Sequence, residues 1–325
     1  MSVDPAAAGR PVAVIGAGSI GVAWAIVFAR GGYSVRLQDP DADRLAAVPA
    51  EVAGRLRDLD GAGLLGETPA DIAARIAVAR TLPAALADAV HVQENAPERL
   101  DVKRELFAAF AALAPGDATL ASSSSAIVAS AFAPDGVARE RCLVAHPGNP
   151  PFLIPVVEIV PAPFTTRAAV NAVRGLMTGC GMQPVLVERE VEGFVFNRLQ
   201  GAMLREAYCL VRDGVIGVED LDTVVRDGLG LRWSVIGPFE TSDLNTRGGI
   251  ASHALKMGPA YARMGAERGQ DDPWTEDLVA RVAAERRAAL PLAQWDARVT
   301  WRDRALMRVV SARRAIPPFD PESTT

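Results

Sequence analysis

The chain has 325 residues, half of them hydrophobic, and a formal net charge of −5. That length suggests about two domains with no difficulty in burying a core. Only Lys103 and Lys256 are lysines among the 34 cations, and no basic run is long enough to line a nucleic-acid groove.

Residues 1–10 read as a mobile tail, without the basic and apolar regions of a secretory leader. Val12-Ala-Val-Ile15 is a continuous apolar run suited to a strand buried on both faces. It leads into Gly16-Ala-Gly18-Ser-Ile-Gly21. A helix follows from about Ile20 to Arg30 and stops at Gly31-Gly32. A second strand, Ser34–Gln38, ends at Asp39. In this setting Gly16 permits the tight turn, Gly18 lets backbone approach a pyrophosphate, and Gly21 lets helix pack close to strand. Ser19 and Ile20 open the helix, whose N–H groups and positive dipole end face the phosphates. Asp39 lies 18 residues beyond Gly21, where it can accept both hydroxyls of a ribose. A 2′-phosphate would meet a like charge there, so NAD is expected over NADP. Arg36 and Arg44 are near in sequence and could soften that repulsion.

Residues 41–90 read as alanine-rich helix with a strand near Ala74–Arg80, and the break at Asp60–Gly63 suggests an inserted helical hairpin. His91–Glu94 is a short strand and Glu98–Ala114 an amphipathic helix. Thr119–Ala121 is a fifth strand. It delivers Ser122–Ser125 to the carboxyl edge of the sheet, where open α/β folds bind ligands. The serine run reads as substrate or cofactor contacts, or as a solvated loop.

Between Cys142 and Val160 two apolar runs flank Pro147, Pro150, Pro151 and Pro155, which forbid a helix. The link is too short for a parallel crossover, so the runs should return antiparallel. His146 then ends one strand, with Glu158 a short way down its neighbour. A carboxylate across from an imidazole fixes its tautomer and raises its basicity, as a general base requires. The plainer reading is a loop histidine with a surface glutamate. Thr166–Cys180 reads as a helix and Gln183–Val187 as a last strand.

Past Glu188–Gly193 no strand is expected. Phe194–Arg212 reads as a helix apolar round most of its surface, hence buried at a domain or subunit interface. Asn197, one turn inside, either caps backbone locally or points into a cleft. Val218–Asp227 reads as a short helix ended by Gly228. Arg232 either pairs internally, with Glu240 or Asp243, or awaits an anion. Residues 265–325 are charged and helical with a proline-rich end. Cys142, Cys180 and Cys209 lack a CxxC pair, which fits packing residues in a reducing compartment. His91 and His253 have no visible role, and no metal site is expected. No run of 18 apolar residues exists, so no membrane span is expected, and the chain reads as cytoplasmic.

The set GAGSIG, VRLQD, QEN, ASSSS, AHPGNPPFLIPVVE and GFVFNR resembles the L-3-hydroxyacyl-CoA dehydrogenase family over about residues 11–245. LGLRWSVIGPFET and HPGNPP are similar to its lambda-crystallin and L-gulonate 3-dehydrogenase branch. The resemblance implies a doubly wound Rossmann-type α/β domain over 1–190 and an all-helical substrate and dimerisation domain over 191–325. It implies His146 as catalytic base, Glu158 as the group orienting it, Ser125 on the substrate oxygen, and Asn197 near nicotinamide and substrate. Glu94 and Lys103 match positions on the nicotinamide side of NAD. Arg232 matches an arginine that grips a substrate carboxylate. The implied protein is a homodimeric NAD-dependent dehydrogenase of a short, L-gulonate-like 3-hydroxy acid. The rivals are a dehydrogenase of short acyl-CoA thioesters and an NAD(H)-binding structural or sensory protein. Three departures stand out, one being that about the last 60 residues carry no motif of the family. The serine tract replaces the usual Ser-Asn-Thr-Ser, and residues 41–83 lack the lysines of acyl-CoA members.

Overall fold

A computed structural model describes residues 9–234, 237–245, 249–269 and 291–315, with single residues 277, 280, 284 and 288. The tail before residue 9 and the proline-rich end after residue 315 lie outside the described residues. The chain forms two compact units. One holds the described residues up to Arg198 together with those from Val299, and the other spans Leu199–Arg298.

The first unit is built on one eight-stranded sheet: β1 (Val12–Ile15), β2 (Val35–Gln38), β3 (Ile76–Val78), β4 (His91–Glu94), β5 (Thr119–Ser122), β6 (Cys142–Pro147), β7 (Val156–Pro161) and β8 (Gln183–Leu186). Their order is β3-β2-β1-β4-β5-β6-β7-β8. The first six are parallel. β7 runs antiparallel to β6, and β8 runs parallel to β7. Chain order reverses between β1 and β4, and such sheets bind ligands in the crevice at that switch point, beyond the strands' carboxyl ends. β1 is buried on both faces: Val12 and Val14 enter one core cluster, Ala13 and Ile15 the other.

Helices α1 (Ser19–Arg30), α2 (Ala42–Gly61), α3 (Pro69–Ala74), α4 (Leu82–Leu86), α5 (Leu100–Leu113), α6 (Ala129–Phe132) and α7 (Arg167–Gly179) complete this unit's connections. α1 is buried continuously from Gly21 to Ala29. The reason is the inserted hairpin. α2 and α3 cover the side of α1 that the sheet leaves bare. α2 turns Leu45, Val48, Val52, Leu56 and Leu59 inward at helical spacing. Side-chain oxygens of Asp41, Thr68, Thr81 and Thr166 cap α2, α3, α4 and α7.

α8 (Phe196–Arg212) crosses the boundary into the second unit. In the single chain Phe196, Leu199, Met203 and Leu204 are exposed on it, while Cys209 and Val211 are buried. α9 (Val218–Thr223) does not stop at Gly228. The chain widens into a π-helical stretch, Val224–Leu229, and runs on into α10 (Gly230–Trp233). Gly228 lies inside that π-helical stretch. α11 (Pro238–Leu244) and α12 (Gly249–Arg268) follow. Arg268 pairs with Glu206 at 2.9 Å and with Asp213 at 2.5 Å, tying α12 to the end of α8.

The sequence divides the chain once, near residue 190. In the structure the last helix, α13 (Trp295–Arg314), belongs from Val299 with the first unit. Met307 is 3% exposed in that unit's larger core, and Val310 packs against it.

Close packing of α1 on its own entry loop yields the first prediction. A Cβ on Gly21 would lie 1.8 Å from the Gly16 carbonyl oxygen, whereas one on Gly18 meets nothing within 4 Å. In thermal melts Gly21→Ala should lower the Tm by about 5 °C or more. Gly18→Ala should leave it within about 1 °C of the parent.

Candidate active site

The β1–α1 turn is shaped by two constraints. Gly16 has φ +96°, and a Cβ there would sit 2.8 Å from the Asn95 backbone, so only glycine fits. Gly18 is the N-cap of α1 and supplies no side-chain cap. The opening N–H groups of α1, at Ser19 and Ile20, therefore point to an exposed surface with room above Gly18. This is an anion cradle of the dinucleotide kind. Asp39, at the end of β2, is held in place. Its Oδ2 accepts the Ala17 N–H at 2.7 Å, and its Oδ1 accepts the Asp41 N–H at 2.9 Å. Each oxygen keeps a lone pair for a ribose hydroxyl. The two nearby arginines are engaged elsewhere. Arg36 donates to the Ala84 and Ala87 carbonyls, and Arg44 donates to the Ala17 carbonyl and pairs with Glu51 at 2.7 Å. The open cradle and the braced acid fit NAD.

At the other side of the sheet His146 and Glu158 are direct partners in the antiparallel β6–β7 ladder. His146 Nδ1 donates to Glu158 Oε2 at 2.8 Å, and both residues are buried. A carboxylate only accepts, so it keeps the proton on Nδ1 and leaves the Nε2 lone pair free. Burial pushes the Glu158 carboxyl up. The hydrogen bond from His146 and the N–H groups of Phe196 and Val195 outweigh it and hold the group below the usual carboxylate range. The rings of Phe194 and Phe196 stand 5.6 Å and 6.2 Å from the imidazole.

Glu158 Oε1 accepts the N–H groups of Val195 and Phe196 at 2.8 and 2.9 Å, at the entry to α8. The approach is unusual. Gly193 and Phe194 both have positive φ, 74° and 51°. A bulky residue in that region is strained unless its surroundings fix it. Here the Phe194 ring is wholly buried. Asn197 follows at once, and its Nδ2 donates to the Ser125 carbonyl at 2.8 Å. His146, Glu158, Asn197 and Ser125 are thus joined through a short stretch of backbone.

Ser125 is steered by a residue that sequence reasoning missed. Glu98 Oε1 accepts from Ser124 Oγ and from the N–H groups of Ser125, Ala126 and Ile127, all within 3.2 Å. Burial raises the Glu98 pKa, but Ser124, the Ile127 N–H, Lys103 and the Ala126 N–H together bring it below the ordinary value. A lone Glu before a helix gave no signal of this role. Glu94 and Lys103, expected beside the nicotinamide, are wholly interior. Lys103 Nζ reaches Glu94 Oε2 at 3.0 Å and Ser122 Oγ at 3.2 Å, with Glu98 at 3.6 Å. They form a strut beneath the serine loop. An ammonium this deep needs hydrogen-bond partners in place of water, and these oxygens supply them.

The remaining candidates separate cleanly. Arg232 is exposed on α10 in the second unit and makes no ion pair with Glu240 or any other described residue. The Asp243 side chain lies outside the described residues. His91 is buried between Thr119 and Gln93, and burial lowers its pKa to about 4. Burial raises the Cys142 and Cys180 thiols to about 12, which suits packing and not nucleophilic attack. Among the described residues no cluster of three or more His, Cys, Asp or Glu could hold a metal.

Two family models cover most of the chain. The one described as "3-hydroxyacyl-CoA dehydrogenase, NAD binding domain" matches residues 11–191, and "3-hydroxyacyl-CoA dehydrogenase, C-terminal domain" matches residues 193–294. The chain is 35% identical over 311 residues to lambda-crystallin of Oryctolagus cuniculus, covering 94% of this chain and 97% of that protein. It is 38% identical over 267 residues to an L-carnitine dehydrogenase of Streptomyces griseus, covering 82% and 76%. Among solved structures it is similar to 5-formyl-3-hydroxy-2-methylpyridine 4-carboxylic acid 5-dehydrogenase, described as an NAD+-dependent dismutase. There the TM-score is 0.80 at 27% identity, covering 95% of this chain and 99% of that one.

Glu98 provides the test of the loop. Its folded-state pKa is depressed, so its stabilising effect is present above the unfolded value and fades as pH falls through the folded one. The Tm gap between the parent and Glu98→Gln should be clear at neutral pH and should close as the pH drops below about 4. Thermal melts across that pH series would check it.

Proposed function

We propose, from the premise that this chain belongs to the 3-hydroxyacyl-CoA dehydrogenase family, that it oxidises the 3-hydroxyl of a short free 3-hydroxy acid of the L-gulonate kind. It is an NAD-dependent dehydrogenase acting on a CH–OH group. The observation that carries the mechanism is the hydrogen-bonded line from His146 through Glu158 to the backbone before Asn197.

NAD would be held by the α1 cradle from Gly16 to Gly21 and by Asp39, and when bound it would supply the acceptor for hydride leaving C3. His146 Nε2 takes the proton of the C3 hydroxyl. The imidazolium so formed is stabilised by the Glu158 carboxylate, whose second oxygen is anchored on two N–H groups and cannot swing away. Phe194 and Phe196 flank the ring and limit water beside it. Ser125 presents a hydroxyl with no described partner, free to hold the reacting oxygen. Asn197, fixed on the Ser125 carbonyl, keeps that loop in register with α8.

Three observations support a free acid. Arg232 is exposed with no described partner, as a carboxylate clamp should be before substrate arrives. L-carnitine, named for one relative, is itself a free 3-hydroxy acid. The described residues of the insert, 41–83, offer no lysine for a CoA phosphate. The acyl-CoA reading keeps the family's own description in its favour. For partners we infer a second copy of the chain, supported by the exposed Leu199, Met203 and Leu204 on α8. No described helix is long and apolar enough to cross a membrane.

A turnover screen of free 3-hydroxy acids and their CoA esters with NAD tests the assignment. His146→Ala should lose about 10²–10⁴-fold in kcat on the best substrate, and Glu158→Gln should lose a smaller part of that. Full turnover by His146→Ala would exclude the base. A parent preference for CoA esters would exclude the free acid.

Arg232 separates the substrate classes. A guanidinium makes two parallel charge-assisted bonds to a carboxylate, which a thioester carbonyl cannot match. Arg232→Ala should lose about 30-fold or more in kcat/KM on the free acid, with NAD affinity little changed. Arg232→Lys should recover only part of it.

A further inference from the structure

The far end of α1 carries a second concave site. A cavity of about 310 Å³ lies where the C-terminal turn of α1, the loop before β7, the loop before β8 and α13 meet. None of its lining residues belongs to the cradle or to the His146 site. At 1.5 Å per residue, the length of α1 puts it about 18 Å from the phosphate loop.

Two arginines, Arg30 and Arg314, line it, and no described carboxylate does. Arg30 is fastened in position. One terminal nitrogen donates to the Phe152 carbonyl at 3.1 Å and the other to the Leu64 carbonyl at 3.2 Å. Both acceptors are neutral. A guanidinium has five N–H donors, so three remain, on a group that is already oriented. Arg314 approaches from α13, is exposed and has no described partner. Burial lowers the Arg30 pKa, and the second largest influence on it is the positive charge of Arg314. Interior cations are ordinarily matched by an acid. Apolar side chains of Val27, Leu64, Phe152, Leu153, Met182 and Val310 line it too, together with the polar Gln183. Gly31 makes the closeness possible: a Cβ there would fall 2.5 Å from Cys180 Sγ.

We infer that this cavity binds an organic monocarboxylate with a short apolar body, its carboxylate between Arg30 and Arg314 and its chain against Phe152 and Met182. At about 30 Å³ per water-sized group, the volume suits about ten non-hydrogen atoms, the size of octanoate. Occupancy does not require NAD or substrate, because no residue is shared with their site.

Isothermal titration of the full chain with sodium octanoate, at fixed ionic strength, tests this. Inorganic phosphate and the neutral octan-1-ol serve as the two partial probes. The expected result is saturable one-to-one octanoate binding that saturating NAD leaves unchanged. Arg314→Ala should weaken it by about tenfold, and Arg314→Glu should abolish it. Both changes sit at an exposed position on the last turn of a helix, and a matching Tm verifies the fold. Phosphate and octan-1-ol should each bind at least tenfold more weakly than octanoate. The inference is overturned by no saturable heat in the millimolar range, or by octanoate binding that both Arg314 variants leave intact. Competition with NAD, or phosphate binding as tight as octanoate, overturns it equally.

Discussion

The Glu158 carboxylate is the group on which the site depends. One oxygen accepts from the imidazole of His146, and the other accepts the two N–H groups that open α8. A single side chain thereby settles a tautomer, a helix entry and the height of Asn197. Its environment makes this possible. It faces His146 across β6 and β7, and the chain returns to it through two successive left-handed residues. Burial alone would favour the neutral acid, but three donors on two oxygens keep the anion.

Much of this was legible in the residues. Continuous apolar runs gave the strands, glycines gave the turns, and four prolines between two such runs gave the antiparallel return that pairs His146 with Glu158. The dinucleotide cradle was equally plain, because its glycines answer to steric limits that can be stated in advance. What could not be read were the effects of long-range contact. The role of Glu98 depends on a loop 26 residues away closing on its carboxylate. The burial of Lys103 depends on Glu94 and Ser122 arriving from neighbouring strands. The positive φ of Phe194 leaves no compositional mark. The residues of α8 marked it as an interface helix without saying which surface covers Leu199, Met203 and Leu204, which stand exposed in the single chain.

Beneath the site the first unit keeps an unusual amount of polar matter inside. Thr119, His91 and Gln93 are hydrogen-bonded in series, and Ser123 joins Gln93, Trp24 and Asn95. The Lys103–Glu94–Ser122 strut lies nearby. An apolar filling of equal volume would hold the fold as well or better. What the polar filling adds is a single permitted arrangement, since each member is satisfied in one geometry only. The strand ends that carry Ser125 and His146 inherit that uniqueness.

The return of α13 to the first unit has a consequence for how the chain is made. Met307, a residue of the core around the Rossmann-type strands, leaves the ribosome only after the second unit has been made. About 100 residues of the second unit are synthesised in between. Closing a segment of that length has a cost that grows only logarithmically, so the ring is thermodynamically tolerable. In time it is different. Until α13 is made, the nascent first unit lacks Met307 and Val310 from its larger core. Its maturation therefore waits on synthesis of the second unit, and a product stopped short of α13 would display the core surface that Met307 covers to whatever quality-control surfaces it meets.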